Sequence, residues 1–174
     1  VWQHWQYEGQ LNYKTDLVKS FLKKHDFDTS MVKDTIGMEH PFEFRNKMEF
    51  TFSKEGHLGL HELGNFRNII DLDTCLISSR DMVNVMKIVS GWAKDFDLPG
   101  YDKDNHTGLL RHLMVRQSQI TGELMAALFA TEAPDGDLTE AVNALVLRLT
   151  SEIDSLESLM WMENKEIADV AQAE

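Results

Sequence analysis

The nine residues Phe44-Arg45-Asn46-Lys47-Met48-Glu49-Phe50-Thr51-Phe52 narrow the possible folds more than any other stretch of the chain. A strand sends successive side chains to opposite faces, so this alternation reads as a β-strand. Phe44, Met48, Phe50 and Phe52 share a core face, and Arg45, Lys47, Glu49 and Thr51 share a wet one. Pro41 can open the strand because no ladder donor is needed there. Ser53-Lys54-Glu55-Gly56 predicts a turn into a second strand, Leu58-Gly59-Leu60-His61-Glu62. Leu63-Gly64-Asn65 predicts another turn, into Asn68-Ile69-Ile70-Asp71-Leu72. Residues 41–75 therefore read as a three-stranded antiparallel meander that ends at Cys75.

Periodicity organises the remainder. Leu11, Val18, Phe21 and Leu22 lie on one helical stripe from Tyr7 to about His25, with Lys14 beside it and Lys19, Lys23 and Lys24 gathering toward the C-terminal end. A loop over residues 26–40 leads into the meander. Met82, Val85, Met86, Val89 and Trp92 predict a second helix over residues 81–96, capped by Ser78 or Ser79 and stopped by Asp97-Leu98-Pro99-Gly100. Residues 109–117 and 124–131 form a second hairpin, whose second strand is apolar throughout and is expected to be central and covered on both sides. Val142, Leu145, Val146, Leu149 and Ile153 face inward from a helix over residues 138–155, and residues 159–163 read as a last strand. The expected fold is α+β, with a mainly antiparallel sheet and flanking helices in the order helix, three strands, helix, two strands, helix, strand, forming one domain over residues 1–174.

A chain of 174 residues with 43% hydrophobic content can bury a sizeable core. No apolar run approaches the roughly 20 residues of a membrane span, and the single cysteine suits a reducing compartment, so a cytoplasmic protein is expected. The net charge of −12 opposes phosphate binding, but its distribution weakens the objection. Residues 132–174 carry eleven acidic and two basic side chains, a net of −9, which leaves −3 for residues 1–131.

The residues Phe44-Arg45-Asn46-Lys47, the glycine turn, Leu58-Gly59-Leu60-His61, Ile69-Ile70-Asp71-Leu72 and Cys75 together resemble the central region of the RNA uracil-C5 methyltransferases, which act on ribosomal RNA and tRNA. Trp2-Gln3-His4-Trp5, Tyr7, Gln10-Leu11, Lys14, the run from Gly108 to Arg116, and Thr121-Gly122-Glu123 extend the likeness in the family's order over about the first three quarters of the chain.

The resemblance implies the central, RNA-contacting domain of a larger enzyme. A Rossmann-like catalytic domain that uses S-adenosylmethionine would follow residue 174, so this chain alone is expected to be silent. The reaction implied for the whole enzyme is attack of a thiolate on C6 of a flipped uracil, methylation at C5, and loss of the C5 proton. Ribosomal RNA, specifically 23S, is favoured as the partner over tRNA. The resemblance also makes Cys75 one ligand of a four-iron, four-sulfur cluster whose other three cysteines would lie immediately before Val1. Taken alone, Cys75 reads as a small buried hydrophobe. A zinc site is not expected, because His57 and His61 would stand about 13 Å apart along a strand.

Arg45, Lys47, Arg111, His112 and Arg116 are the candidate RNA-binding residues; cross-strand pairing with Glu43, Glu49 and Glu123 is the structural alternative. Trp2, His4, Trp5 and Tyr7 can stack a base or pack within their own domain. A rival function is an acidic protein-interaction module without catalytic activity, presenting the charged side of the helix over residues 138–155.

Overall fold

A computed structural model describes residues 4–166 and divides the chain into two compact units, residues 1–42 and 43–174. The smaller unit is built on α1 (Tyr7–Lys24). Thr15 is its only buried helical residue, and its hydroxyl oxygen lies 2.8 Å from that of Thr35 while accepting the Thr35 amide at 2.9 Å. The Tyr7 hydroxyl accepts the Met38 amide at 2.7 Å, and a Cβ on Gly37 would come within 2.8 Å of Leu11 Cδ1. The irregular segment 26–40 is thereby strapped along the helix. Val18 and Phe21, expected on a buried stripe, are 50% and 63% exposed, because within this unit the strap covers the turns carrying Tyr7, Leu11 and Thr15 and no further. Lys14 is exposed as well.

The larger unit is a six-stranded sheet in the order β3-β2-β1-β4-β5-β6. Its strands are β1 (Lys47–Phe52), β2 (Leu58–Glu62), β3 (Asn65–Asp71), β4 (Leu110–Gln117), β5 (Leu124–Ala130) and β6 (Leu156–Glu163). Every neighbouring pair is antiparallel except β5 with β6, which are joined through the helix α3 (Leu138–Glu152), as a parallel crossover requires. The α+β class, the element order and the mainly antiparallel sheet are as the sequence predicts.

Helices α2 (Arg80–Asp95) and α3 pack on the sheet face that carries Met48, Phe50, Phe52, Leu113, Val115 and Leu128, all buried. Ser79 caps α2 by accepting the Met82 amide at 3.2 Å. Trp92, fully buried on α2, donates its indole N–H to the Ala141 carbonyl of α3 at 2.6 Å, which sets the spacing of the two helices. In α3 the inward residues are Ala141, Leu145 and Leu149, while Val146 sits at the margin, 39% exposed. Strand β5, expected to be central, lies second from the edge with a strand on either side, and only Met125 along it is less than buried.

Two expectations about the first strand fail. Phe44 is 46% exposed, because the chain before Lys47 leaves the sheet and bonds to the segment ahead of α2 instead, through Glu43 N to Leu76 O and Arg45 N to Ile77 O, both 2.9 Å. Thr51, expected to be wet, is 5% exposed, its hydroxyl lying between the rings of His61 and His112. Trp92→Phe removes the interhelical hydrogen bond and leaves a gap beside the Ala141 carbonyl; it is expected to cost about 1–3 kcal/mol, read as a lower denaturant midpoint at unchanged slope.

Candidate nucleic-acid interface

Strand β1 pairs with β4 in the register Lys47 with Arg116, Glu49 with Met114 and Thr51 with His112. These six residues share the face opposite α2 and α3, and the row continues from Arg116 through Met125 of β5 to Ser158 of β6. Two cations therefore stand directly opposite each other on adjacent antiparallel strands, with Cβ atoms about 5 Å apart, an arrangement that costs stability. Glu49 compensates in part, its carboxylate lying 2.6 Å from Lys47 Nζ on the same strand. Among the described residues neither Arg116 nor Arg45, which lies two positions before Lys47, takes part in an ion pair, and both are exposed. Glu123, an expected partner, accepts the Thr121 hydroxyl at 2.9 Å.

The other two candidate cations are held inside. A bulge in β4 gives that strand one residue more than β5 between Leu110 and His112, and Arg111 occupies the extra position. The bulge turns its side chain into the protein, where it is 2% exposed. Its guanidinium donates to the backbone carbonyls of Asn164 (3.1 Å) and Glu166, and lies 4.4 Å from the centroid of the Tyr101 ring. Arg111 thus clamps the chain as it leaves β6.

His112 is 5% exposed and belongs to a hydrogen-bonded chain across three strands. His61 Nδ1 lies 2.6 Å from the Phe66 carbonyl, which can only accept, so Nδ1 carries a proton. With His61 neutral, the Thr51 hydroxyl donates to His61 Nε2 at 3.2 Å and accepts from His112 Nδ1 at 3.2 Å. This chain is why Thr51 is buried on the supposedly wet face. Alternation alone does not reveal it, because the three residues come from separate strands and meet only through register.

Cys75 lies between β3 and α2, half-buried against the core. A four-iron cluster takes four thiolates, and this chain has one. Among the described residues no three histidine, cysteine, aspartate or glutamate side chains converge on a metal-sized space. This chain's residues therefore supply at most one of the four thiolates, Cys75. His57 and His61 go separate ways, His57 to Asp71 at 3.5 Å and His61 to Thr51. Of the aromatic group, Trp2 falls outside the described residues; Trp5 meets His4 and Tyr13 edge-on, at 6.0 and 5.5 Å, and is 41% exposed. No helix among the described residues is long and apolar enough to cross a membrane.

A cleft of about 590 Å³ opens between the β2–β3 hairpin, the β1–β2 turn and the loop that follows α2. Sequence reading missed it because the loop wall, residues 101–104, lies some thirty residues beyond the hairpin it faces. Its loop wall is braced by Asp102, whose carboxylate accepts from Asn105 Nδ2 and the Asp104 amide, both at 2.8 Å. These bonds, the Asn105 side chain first, hold its pKa below the ordinary 3.8.

No family model matches the chain. Curated relatives do. An uncharacterized RNA methyltransferase of Clostridium tetani is 31% identical over 172 residues, covering 97% of this chain and 36% of its own length. Another, from Caldanaerobacter subterraneus, is 36% identical over 140 residues, 75% of this chain and 30% of its own length. Among solved structures, the Pyrococcus abyssi tRNA (uracil-54, C5)-methyltransferase in complex with S-adenosyl-L-homocysteine superposes with a TM-score of 0.70 at 21% identity, over 99% of this chain and 38% of that one. The chain spans a little over a third of the proteins it matches most fully, and it shares its sequence with RNA methyltransferases. Its relatives place the chain with the RNA methyltransferases, and its fold is that of part of a tRNA (uracil-54, C5)-methyltransferase.

Two outcomes separate the buried clamp from the surface cations. Arg111→Ala is expected to lower unfolding free energy by about 2–3 kcal/mol, because it strands carbonyls that a charged donor satisfied, whereas Arg116→Ala changes it by less than about 0.5 kcal/mol in thermal or denaturant melts. A carboxylate whose folded pKa is depressed adds stability above its unfolded pKa and loses it as pH falls through the folded one. Asp102 is therefore expected to titrate below an ordinary aspartate in carboxyl-carbon NMR, with the loop losing its amide protection only at that lower pH.

Proposed function

We propose that this chain is the RNA-positioning central domain of an S-adenosylmethionine-dependent RNA uracil-C5 methyltransferase, with the catalytic domain in the part of the protein beyond residue 174. The observation that carries the proposal is Lys47 opposite Arg116, both exposed, with Arg45 two positions before Lys47, in a chain whose net charge is −12. A fold selected for stability alone would place opposite charges at that pair. A bound phosphate turns the cost into a gain, since each cation then neutralises an anion and releases counterions. Arginine suits the role because its fork donates two parallel hydrogen bonds to a phosphate.

Contacts of this kind hold RNA in place without reading its sequence. The chemistry supplied by S-adenosylmethionine is methyl donation, and the residues of this chain act before it by fixing where the RNA backbone lies. Cys75, packed against the core, has no place as the nucleophile that attacks uracil. The length of chain between Arg116 and the tail favours ribosomal RNA as substrate. The solved neighbour is a tRNA enzyme, so both RNAs belong in the assay.

With three surface cations the salt slope of RNA binding is expected to be about −2, each phosphate contact to a single strand contributing about 0.7. Arg116→Glu is the sharpest variant. It creates an opposite-charge pair with Lys47 and so is expected to leave the melting temperature unchanged or slightly higher. In the full-length enzyme it is expected to raise the KM for RNA severalfold and to flatten the salt dependence, without affecting S-adenosylmethionine binding. A variant that melts lower yet binds RNA with the wild-type salt slope would mean that Arg116 serves the fold instead.

A further inference from the structure

The cleft beside the β2–β3 hairpin is built to keep its shape. A Cβ on Gly100 would lie 1.8 Å from the Ser53 carbonyl oxygen, so the loop's backbone rests directly on the end of β1. Tyr101 N donates to Leu110 O at 2.8 Å, and Asp102 and Thr107 exchange backbone hydrogen bonds of 2.7 and 3.3 Å. Together with the Asp102 side-chain bonds, these fix the wall that carries Tyr101 and Lys103. The facing wall is edge strand β3, where Phe66 lines the cleft while 66% exposed. Arg67 reaches across to Asp104 at 3.7 Å, a long pair with both side chains about 70% exposed and hence weakly held. Lys54, from the β1–β2 turn, also lines the space.

Its volume of about 590 Å³ is in the range that takes a small molecule or one unit of a polymer. An open aromatic face with Lys54, Arg67 and Lys103 around it, beside the carboxylates of Glu55, Asp102 and Asp104, can take a base and its phosphate, because base–aromatic stacking needs no sequence and arginine holds phosphate. A paired base is already stacked within its duplex, so only an unpaired one can enter. We propose that this cleft holds one unpaired nucleotide of the RNA strand, its base stacked on Phe66 and its phosphate taking over Arg67 from Asp104, with Lys54 and Lys103 nearby. This rests on the RNA-positioning reading of the sheet face and adds a second, base-contacting point to it.

The test is a titration of the chain with a single-stranded 12-mer of uridylate, a 12-base-pair RNA duplex and uridine monophosphate. Phe66→Trp is expected to keep wild-type affinity for the single strand, with its fluorescence quenched on binding and unmoved by the duplex. Phe66→Ala, exposed enough to leave the melting temperature alone, is expected to bind the single strand about tenfold or more weakly. Wild-type affinity in Phe66→Ala, or quenching by the duplex equal to that by the single strand, overturns the cleft assignment. In either case a loss of binding in Arg116→Glu leaves the sheet-face reading standing. Uridine monophosphate binding as tightly as the 12-mer overturns the RNA strand as occupant. No binding of the 12-mer by the wild-type chain overturns both readings.

Discussion

The pairing of β1 with β4 is the constraint on which the larger unit depends. Strands about sixty residues apart in the chain align Met48 with Val115 and Phe50 with Leu113 on one face, and Lys47 with Arg116 and Thr51 with His112 on the other. Because side chains alternate strictly, a slip of one residue would send the phenylalanines into solvent and the cations into the core. The burial of Phe50 and Leu113 under α2 therefore fixes the register that brings the cations together. The core specifies the surface.

The same register creates the chain from the Phe66 carbonyl through His61 and Thr51 to His112. It ties the turn end of β3 to the middle of the sheet by side chains as well as by the ladder. Loop closure over such a distance is costly in entropy, and buried polar networks of this kind favour one register among several because a slipped one leaves their members unsatisfied. Arg111 adds a third long-range tie, from the β4 bulge to the chain beyond β6.

Much of this architecture was legible in the sequence. The alternation over residues 44–52, the apolar run of β5 and the spacing of α2 each carry one strong period and each formed the predicted element, β5 and α2 within a residue of the expected ends and β1 starting three residues late, at Lys47. Residues governed by something other than period were not legible. Phe44 fits the strand pattern but lies where the backbone has already turned to pair with residues 76–78. Val18 and Phe21 fit a stripe, yet the strap that covers α1 is too short to reach them. Arg111 looks like any basic residue of a strand, and only a bulge, which leaves no mark in a single sequence, sends it inward while Arg116 stays out. Of the candidate site, Arg45, Lys47 and Arg116 stand at the surface as read, whereas the cleft at Phe66 required the fold to bring the loop at residues 101–104 against the β1–β2–β3 stretch.

The central claim is that RNA lies on the sheet face opposite the helices. Amide and guanidinium NMR of the isotope-labelled chain, followed as single-stranded RNA is added at low salt, tests it residue by residue. Shifts concentrated at Arg45, Lys47, Arg116 and their neighbours Glu49 and Met125, fading as salt is raised, are the predicted result. Shifts confined to the acidic side of α3, or a spectrum unmoved by RNA at any salt concentration, would contradict the claim.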